Sequence, residues 1–244
     1  MKYIKTKSGI SVLRYTKFTA PLLQSGYVTL MHIKYASMLA LPQLNDAAES
    51  MFKYLSAVYP LKKVIIKELM AKAGYRQLRR KEYLLKPGET CKHLYFVHKG
   101  LLRCFYLETN EKTGEDREVC TWFMREKDTC VSVRSFYSQT PGKEFIQAVE
   151  PCELFYITYE DLEMIYRKYI SFNFNGRVLT VKYLLEWTVQ LENLRQLKAA
   201  QRFEELFRRD PELFQRVPQK YLASYLNILP TSLSRMLRMK RKKK

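Results

Sequence analysis

The chain has 244 residues, 43 of them Lys or Arg against 24 Asp or Glu, for a formal charge of +19. Like charge on that scale calls for a polyanionic partner, nucleic acid or an anionic membrane. A hydrophobic content of 47% with 14% aromatics supports a buried core and excludes wholesale disorder.

Residues 1–47 mix basic, β-branched and turn residues without a sustained period. The apolar run from Val28 is broken by His32 and Lys34, which leaves it too short and too polar to span a bilayer. The first residues also lack the apolar stretch of a secretory signal. From Ala47 to about Ala73 a helix is expected, with Phe52, Leu55, Val58, Leu61, Ile65 and Leu69 as its apolar stripe. It is interrupted at Tyr59-Pro60 and ended by Gly74. Residues 75–158 switch to strand period. Tyr83-Leu84-Leu85 precedes the turn Lys86-Pro87-Gly88-Glu89. Two strands around Leu94–Val97 and Leu101–Tyr106 flank His98-Lys99-Gly100, which reads as a hairpin. A polar loop from Glu108 to Asp116 leads to Val119–Phe123, and further strands fit Phe145–Val149 and Leu154–Ile157. Short strands at regular spacing suggest a sandwich or jelly roll.

Chemistry-bearing residues are sparse. Cys91, Cys104, Cys120, Cys130 and Cys152 contain no CxxC pair, so zinc-ribbon and iron–sulfur spacings are absent and reduced, buried thiols are expected. His32, His93 and His98 form no metal-ligand pattern; the last two lie five apart in a strand and face opposite sides. There is no nucleophile elbow, Walker loop or HExxH, and an enzyme is not expected.

After Thr158 the period is helical again. A short helix begins at Tyr159, Gly176 marks a break, and Arg177–Ala200 forms one long helix. Leu184, Trp187, Leu191 and Leu194 follow 3–4–3 spacing, a seam for a second helix or for the chain's own sheets. From Arg216 to Arg238 two short helices are joined by a tight turn. Val217, Tyr221, Leu222, Leu226 and Ile228 form the inner face of the first, which Pro218 opens and Asn227 ends. Pro230-Thr231-Ser232 opens the second, with Leu233, Met236 and Leu237 inward and Ser232, Ser234, Arg235 and Arg238 outward. Residues 201–244 carry twelve Lys/Arg against four Asp/Glu. Small hydroxyls and arginines on a braced helix suit a major groove, although a helical hairpin with a solvated basic face has the same spacing.

The segment QRVPQKYLASYLNILPTSLSRMLR resembles the C-terminal helix-turn-helix of bacterial Crp/Fnr-type transcription regulators. KAAQRFEELFRRDPELF resembles their connecting segment, and LLKPGE…LYFVHKGLLRCFY the opening of their cyclic-nucleotide-binding-type β-roll. The resemblance implies an α+β fold: an N-terminal antiparallel β-roll (jelly roll), a long dimerisation helix and a C-terminal helix-turn-helix domain. The corresponding bounds are 48–160 for the sensor roll, 161–200 for linker and dimer helix, and 201–244 for the DNA-binding head with its basic tail. Family members usually begin near Met51, so 1–47 reads as a loosely ordered extension or a start codon assigned too early, with Met31, Met38 and Met51 as candidate starts. It further implies double-stranded DNA as partner, a homodimer paired through Leu184, Trp187, Leu191 and Leu194, contact with RNA polymerase, a cytoplasmic location and no membrane association.

Carried over position by position, DNA contacts fall on Gln219, Lys220, Thr231, Ser232, Ser234, Arg235, Arg238 and Lys240. Arg235 is best suited to guanine. Where the family's recognition helix often begins with Arg and Glu, this chain has Pro230 and Thr231, which argues against the standard half-site. The Gly-Glu pair and the Arg that hold cyclic AMP fall near Val131-Ser132 and Gly142, and neither is kept. Glu144 would moreover repel a phosphate, so cyclic AMP is not expected. Another small-molecule effector would meet Arg134, Ser135, Tyr137 and Lys143, unless these form only a solvated loop. An alternative is a ligand-sensing roll whose basic C-terminus merely tethers it to nucleic acid or a partner.

Overall fold

The computed structural model describes residues 4–5, 11–12 and 42–242, with side chains from 48 to 241. In the first of two compact units, 1–40, β1 (Ile4–Lys5) pairs antiparallel with β2 (Ser11–Val12). The rest of the expected extension up to residue 41 lies outside the described residues.

The second unit opens with α1 (Pro42–Val58), earlier than the sequence suggested, and α2 (Lys63–Lys72). The break between them follows from Pro60, which has no N–H to donate and disfavours a helical Tyr59. Ala48, Met51 and Leu55 bury one stripe of α1, and Ile65 and Leu69 one stripe of α2.

Eight strands follow: β3 (Gly74–Leu78), β4 (Tyr83–Leu85), β5 (His93–Lys99), β6 (Leu102–Thr109), β7 (Asp116–Met124), β8 (Thr129–Cys130), β9 (Phe145–Ala148) and β10 (Cys152–Thr158). They form two antiparallel four-stranded sheets, ordered β3-β10-β5-β8 and β4-β9-β6-β7. Val97, Leu102, Cys104, Met124, Ile146 and Leu154 fill the space between them. The hairpin expected at His98–Gly100 is not one, because β5 and β6 belong to different sheets. Gly100, at φ +98°, instead turns the chain from one sheet to the other. A Cβ there would collide with the Pro151 carbonyl oxygen. The hairpin in this region is β6–β7, closed across Asn110–Glu115.

Between β8 and β9 lies a short helix, α3 (Val133–Ser138), where the sequence suggested only a loop. The Thr158 hydroxyl caps α4 (Tyr159–Lys168), accepting the Asp161 N–H at 3.0 Å. The long helix α5 spans Phe172–Gln196 and is followed by α6 (Ala199–Arg209) and α7 (Leu213–Arg216). Gly176 is therefore no break. It lies inside α5 where Tyr166 of α4 crosses, and a Cβ would collide with the Tyr166 hydroxyl. The last two helices are α8 (Gln219–Tyr225) and α9 (Pro230–Lys242). No helix among the described residues is long and apolar enough to cross a membrane.

Candidate nucleic-acid interface

The C-terminal helices share a second core with the outer face of the β4-β9-β6-β7 sheet. Leu101, Phe105, Cys120, Phe123 and Val149 of the roll meet Phe203, Leu206, Leu213, Val217, Leu222 and Leu233 of the helices. β7 serves both cores because Cys104 and Phe105 pair with Trp122 and Cys120. Thr121 is thereby skipped as a bulge, and the alternation shifts by one residue.

Polar contacts fix the docking. The Ser224 hydroxyl accepts the Cys120 N–H at 2.9 Å and donates to the Glu118 carbonyl at 2.7 Å. Arg216 donates to Glu126 at 2.8 and 2.9 Å and also to Glu150. Its hydrogen bonds to those two carboxylates push its pKa above the ordinary guanidinium value. Arg125 pairs with Asp210 at 2.6 Å. Arg103 is 1% exposed, and it donates to Gln147 at 2.7 Å and to Glu118 at 2.7 Å. Its guanidinium carbon lies 3.9 Å from the ring centre of Phe105 and 3.6 Å from that of Tyr221 on α8. In return, the Arg103 hydrogen bond holds the Glu118 carboxyl below the usual value. These docking residues were not singled out from sequence. The one available signal was an arginine interrupting the apolar strand Leu101-Leu102-Arg103-Cys104-Phe105.

Between α8 and α9 the turn is held from outside. Asn227 adopts φ +51°, and Arg202 of α6 donates to the carbonyls of Leu226 at 2.9 Å and Asn227 at 3.2 Å. In α9, Leu233 is buried and Met236 and Leu237 are half-buried against the second core. Thr231, Ser234, Arg235 and Arg238 are exposed, and Ser232 is half-buried. Gln219 and Lys220 are exposed at the start of α8, with Lys220 Nζ 4.8 Å from the Tyr221 ring centre. Lys240 stands apart from the other candidates: it pairs with Glu204 and lies 5.2 Å from the Phe207 ring centre, turned toward α6.

Along α5, Leu184 is 62% exposed, Trp187 48%, Leu191 50% and Leu194 36%. Only Phe172 and Asn175, both near the helix start, are buried. Beyond Asn175 most of the apolar face of α5 is therefore exposed among the described residues, although Trp187 stacks on Trp122 at 5.9 Å.

Where α5 crosses the roll, a cavity of about 330 Å³ is bordered by Trp122, Met124, Glu144, Asn175, Leu184 and Trp187 among others. Tyr137 borders it, whereas Arg134, Ser135 and Lys143 do not. Arg134 and Lys143 are exposed. Ser135 is buried, and its hydroxyl accepts the Cys91 N–H at 2.9 Å and donates to Thr140 at 2.6 Å, so α3 uses it to hold the roll together. All five cysteines are buried and free. Burial pushes every one of their thiols up, Cys152 to about 12, which leaves no low-pKa thiolate for redox chemistry. No cluster suited to a metal ion occurs among the described residues.

Residues 75–169 match the family model for the cyclic nucleotide-binding domain. That match runs from β3 into the segment after α4 and so covers the roll. Beyond the roll, solved structures of the Crp/Fnr type share the fold. A Crp/Fnr-family regulator from Eubacterium rectale aligns at TM-score 0.60 and 15% identity over 78% of this chain and 88% of its own. FixK2 from Bradyrhizobium japonicum gives 0.57 and 16% over 70% and 85%. CLP from Xanthomonas campestris, a c-di-GMP-responsive global regulator, gives 0.57 and 19% over 75% and 93%. No curated protein sequence matches. The roll, the long helix and the terminal helix pair thus follow one architecture, as the resemblance implied.

Proposed function

We propose that this chain is a transcription regulator that binds duplex DNA as a homodimer through α9. One observation carries the reading: Thr231, Ser234, Arg235 and Arg238 lie exposed on a helix whose opposite face is locked by Leu233, in a chain with the Crp/Fnr fold. Such a helix presents hydroxyls and guanidinium forks at the width of a major groove, with Arg235 the candidate for guanine O6 and N7. Ser232 is a further contact at the edge of that face, and Gln219 and Lys220 would meet phosphates at the start of α8. The bare stripe on α5 supports dimerisation, since an apolar face of that extent calls for a partner and a second α5 supplies the same residues by symmetry. Two heads one helical turn apart would read an inverted repeat. RNA polymerase and a cytoplasmic location follow from this reading, as does an effector that biases the orientation of the heads.

Selection from random duplexes on the purified dimer tests it. An inverted repeat with each half-site protected is the expected result. Recovery of no motif, with binding governed by salt alone, would favour a basic tether.

A further inference from the structure

Hydroxyls and guanidinium groups line the outer face of α9, but the two residues at its opening carry neither. Leu229 immediately precedes α9, and its carbonyl accepts the first helical hydrogen bond, from the Leu233 N–H at 3.1 Å. Leu229 is therefore the N-cap, and Pro230 is the first helical residue. The Leu229 side chain is 69% exposed, more than any residue of the bare stripe on α5, and Pro230 is exposed beside it.

Stability gives no reason for a leucine at this position. A side-chain oxygen at the N-cap would accept one of the free amide protons of the first turn, and leucine has none to offer. Its isobutyl group gains little from burial either, since most of it stays in water. The main chain around it is nevertheless fixed. Ile228 donates to the Ala223 carbonyl at 3.0 Å, and Arg202 holds the carbonyls of Leu226 and Asn227. An apolar side chain is thus held out at a defined place at a cost in capping and in solvation, and departures of that kind mark contact sites.

In a helix-turn-helix the N-terminal residues of the second helix meet base edges in the major groove. Neither Leu229 nor Pro230 has a side-chain donor or acceptor, and Pro230 lacks even the amide proton. Guanine, adenine and cytosine show only polar groups in that groove, whereas thymine adds a C5-methyl. We infer that Leu229, with the Pro230 ring beside it, packs on the C5-methyl group of a thymine in each half-site. The contact presupposes the proposed function and extends it. Arg235 selects a base through hydrogen bonds, and the opening of α9 selects another through apolar contact. A second copy of the chain is the competing cover, because Leu229 also borders a groove lined by Leu191 and Leu194 of α5.

Uracil differs from thymine only in lacking that methyl group. In the motif selected from random duplexes, each thymine is replaced in turn by deoxyuridine in both half-sites. At one symmetric position the native dimer should bind the uracil duplex about fourfold more weakly per half-site, the effect of leaving one methyl group uncovered. Leu229→Ser should abolish that discrimination. Serine is the better N-cap, so this variant should melt no lower than the native chain, and its mass by light scattering should be unchanged. Leu229→Ala serves as a second variant with the same expected loss. A motif without thymine, or one whose thymines all tolerate uracil, overturns the inference and leaves the proposed function standing. So does a uracil penalty that survives in both variants, since another group would then read the methyl. Loss of the dimer in either variant also overturns it, because a second copy would then be what covers the leucine. Recovery of no motif removes the proposed function and this contact together.

Discussion

Arg103 sits mid-strand in an apolar run and is retained because both ends of its fork and both of its faces are occupied. Gln147 and Glu118 accept its hydrogen bonds, and Phe105 and Tyr221 flank the guanidinium. Truncation leaves those acceptors without donors and empties the gap between roll and head, so Arg103→Ala should lower stability by about 3 kcal/mol, read as a shift in denaturant midpoint. Arg103→Lys should recover little, because an ammonium has neither the fork nor the planar face. The same pair sets a pH dependence. The Arg103 hydrogen bond depresses the folded Glu118 value, so its stabilisation is complete above the unfolded carboxyl value of about 4.3 and is lost as pH falls through the folded one. Glu118→Gln should flatten that acid limb of the stability curve while leaving its shape near neutrality unchanged. On α9, Arg235→Ala should cost about 1–3 kcal/mol at one base pair of the selected site and relax the preference there, measured by titrating single-base variants.

At the scale of elements, α5 differs from the other long helices of the roll. α1 and α2 each bury a stripe, while most of the apolar side chains of α5 remain bare beyond Asn175. A helix of 25 residues with that face uncovered is incomplete as a monomer. Leu191→Asp would place a carboxylate in the centre of the proposed pairing, and light scattering should then report monomers where the proposal expects dimers of the native chain. Continued dimerisation of the variant would exclude α5 as the interface. α8 and α9 are held in a different way. Their turn is not stabilised by its own residues alone, because Arg202 reaches from α6 to two of its carbonyls. The position of α9, the proposed recognition helix, thus depends on α6, and α6 in turn follows α5 after a two-residue break at Leu197–Lys198.

For the whole molecule, charge is distributed unevenly. The positive excess rises toward the C-terminus, while no cation lines the cavity among the described residues. Removal of residues 241–244 should weaken binding to every duplex alike, with the selected motif unchanged. The slope of log affinity against log salt should become shallower by about 0.9 for each phosphate that is no longer neutralised. Lys240 lies outside that prediction, since its ammonium is already paired with Glu204. Three groups of polar bonds join head to roll, from Arg125, Arg216 and Ser224, and Arg103 adds its stacking on Tyr221. They hold α9 in a defined position relative to the cavity.

Local pattern was enough to read six of the eight strands of the roll, the breaks at Pro60 and Asn227, and the inner and outer faces of α9. Each of these depends on a period or on a residue with a restricted backbone, and both are properties of neighbours along the chain. Tertiary structure alone decided the rest. Gly100 proved to be a crossing between sheets rather than a hairpin because its constraint comes from Pro151, far along the chain. Gly176 kept its helix intact because its constraint is the ring of Tyr166, on the preceding helix. The cavity gathers side chains from α1, β5, β7, β10 and α5, and Ser135 left it for a structural role that only Cys91 and Thr140 reveal. Such assignments depend on which distant groups approach one another, and no spacing along the chain encodes that proximity.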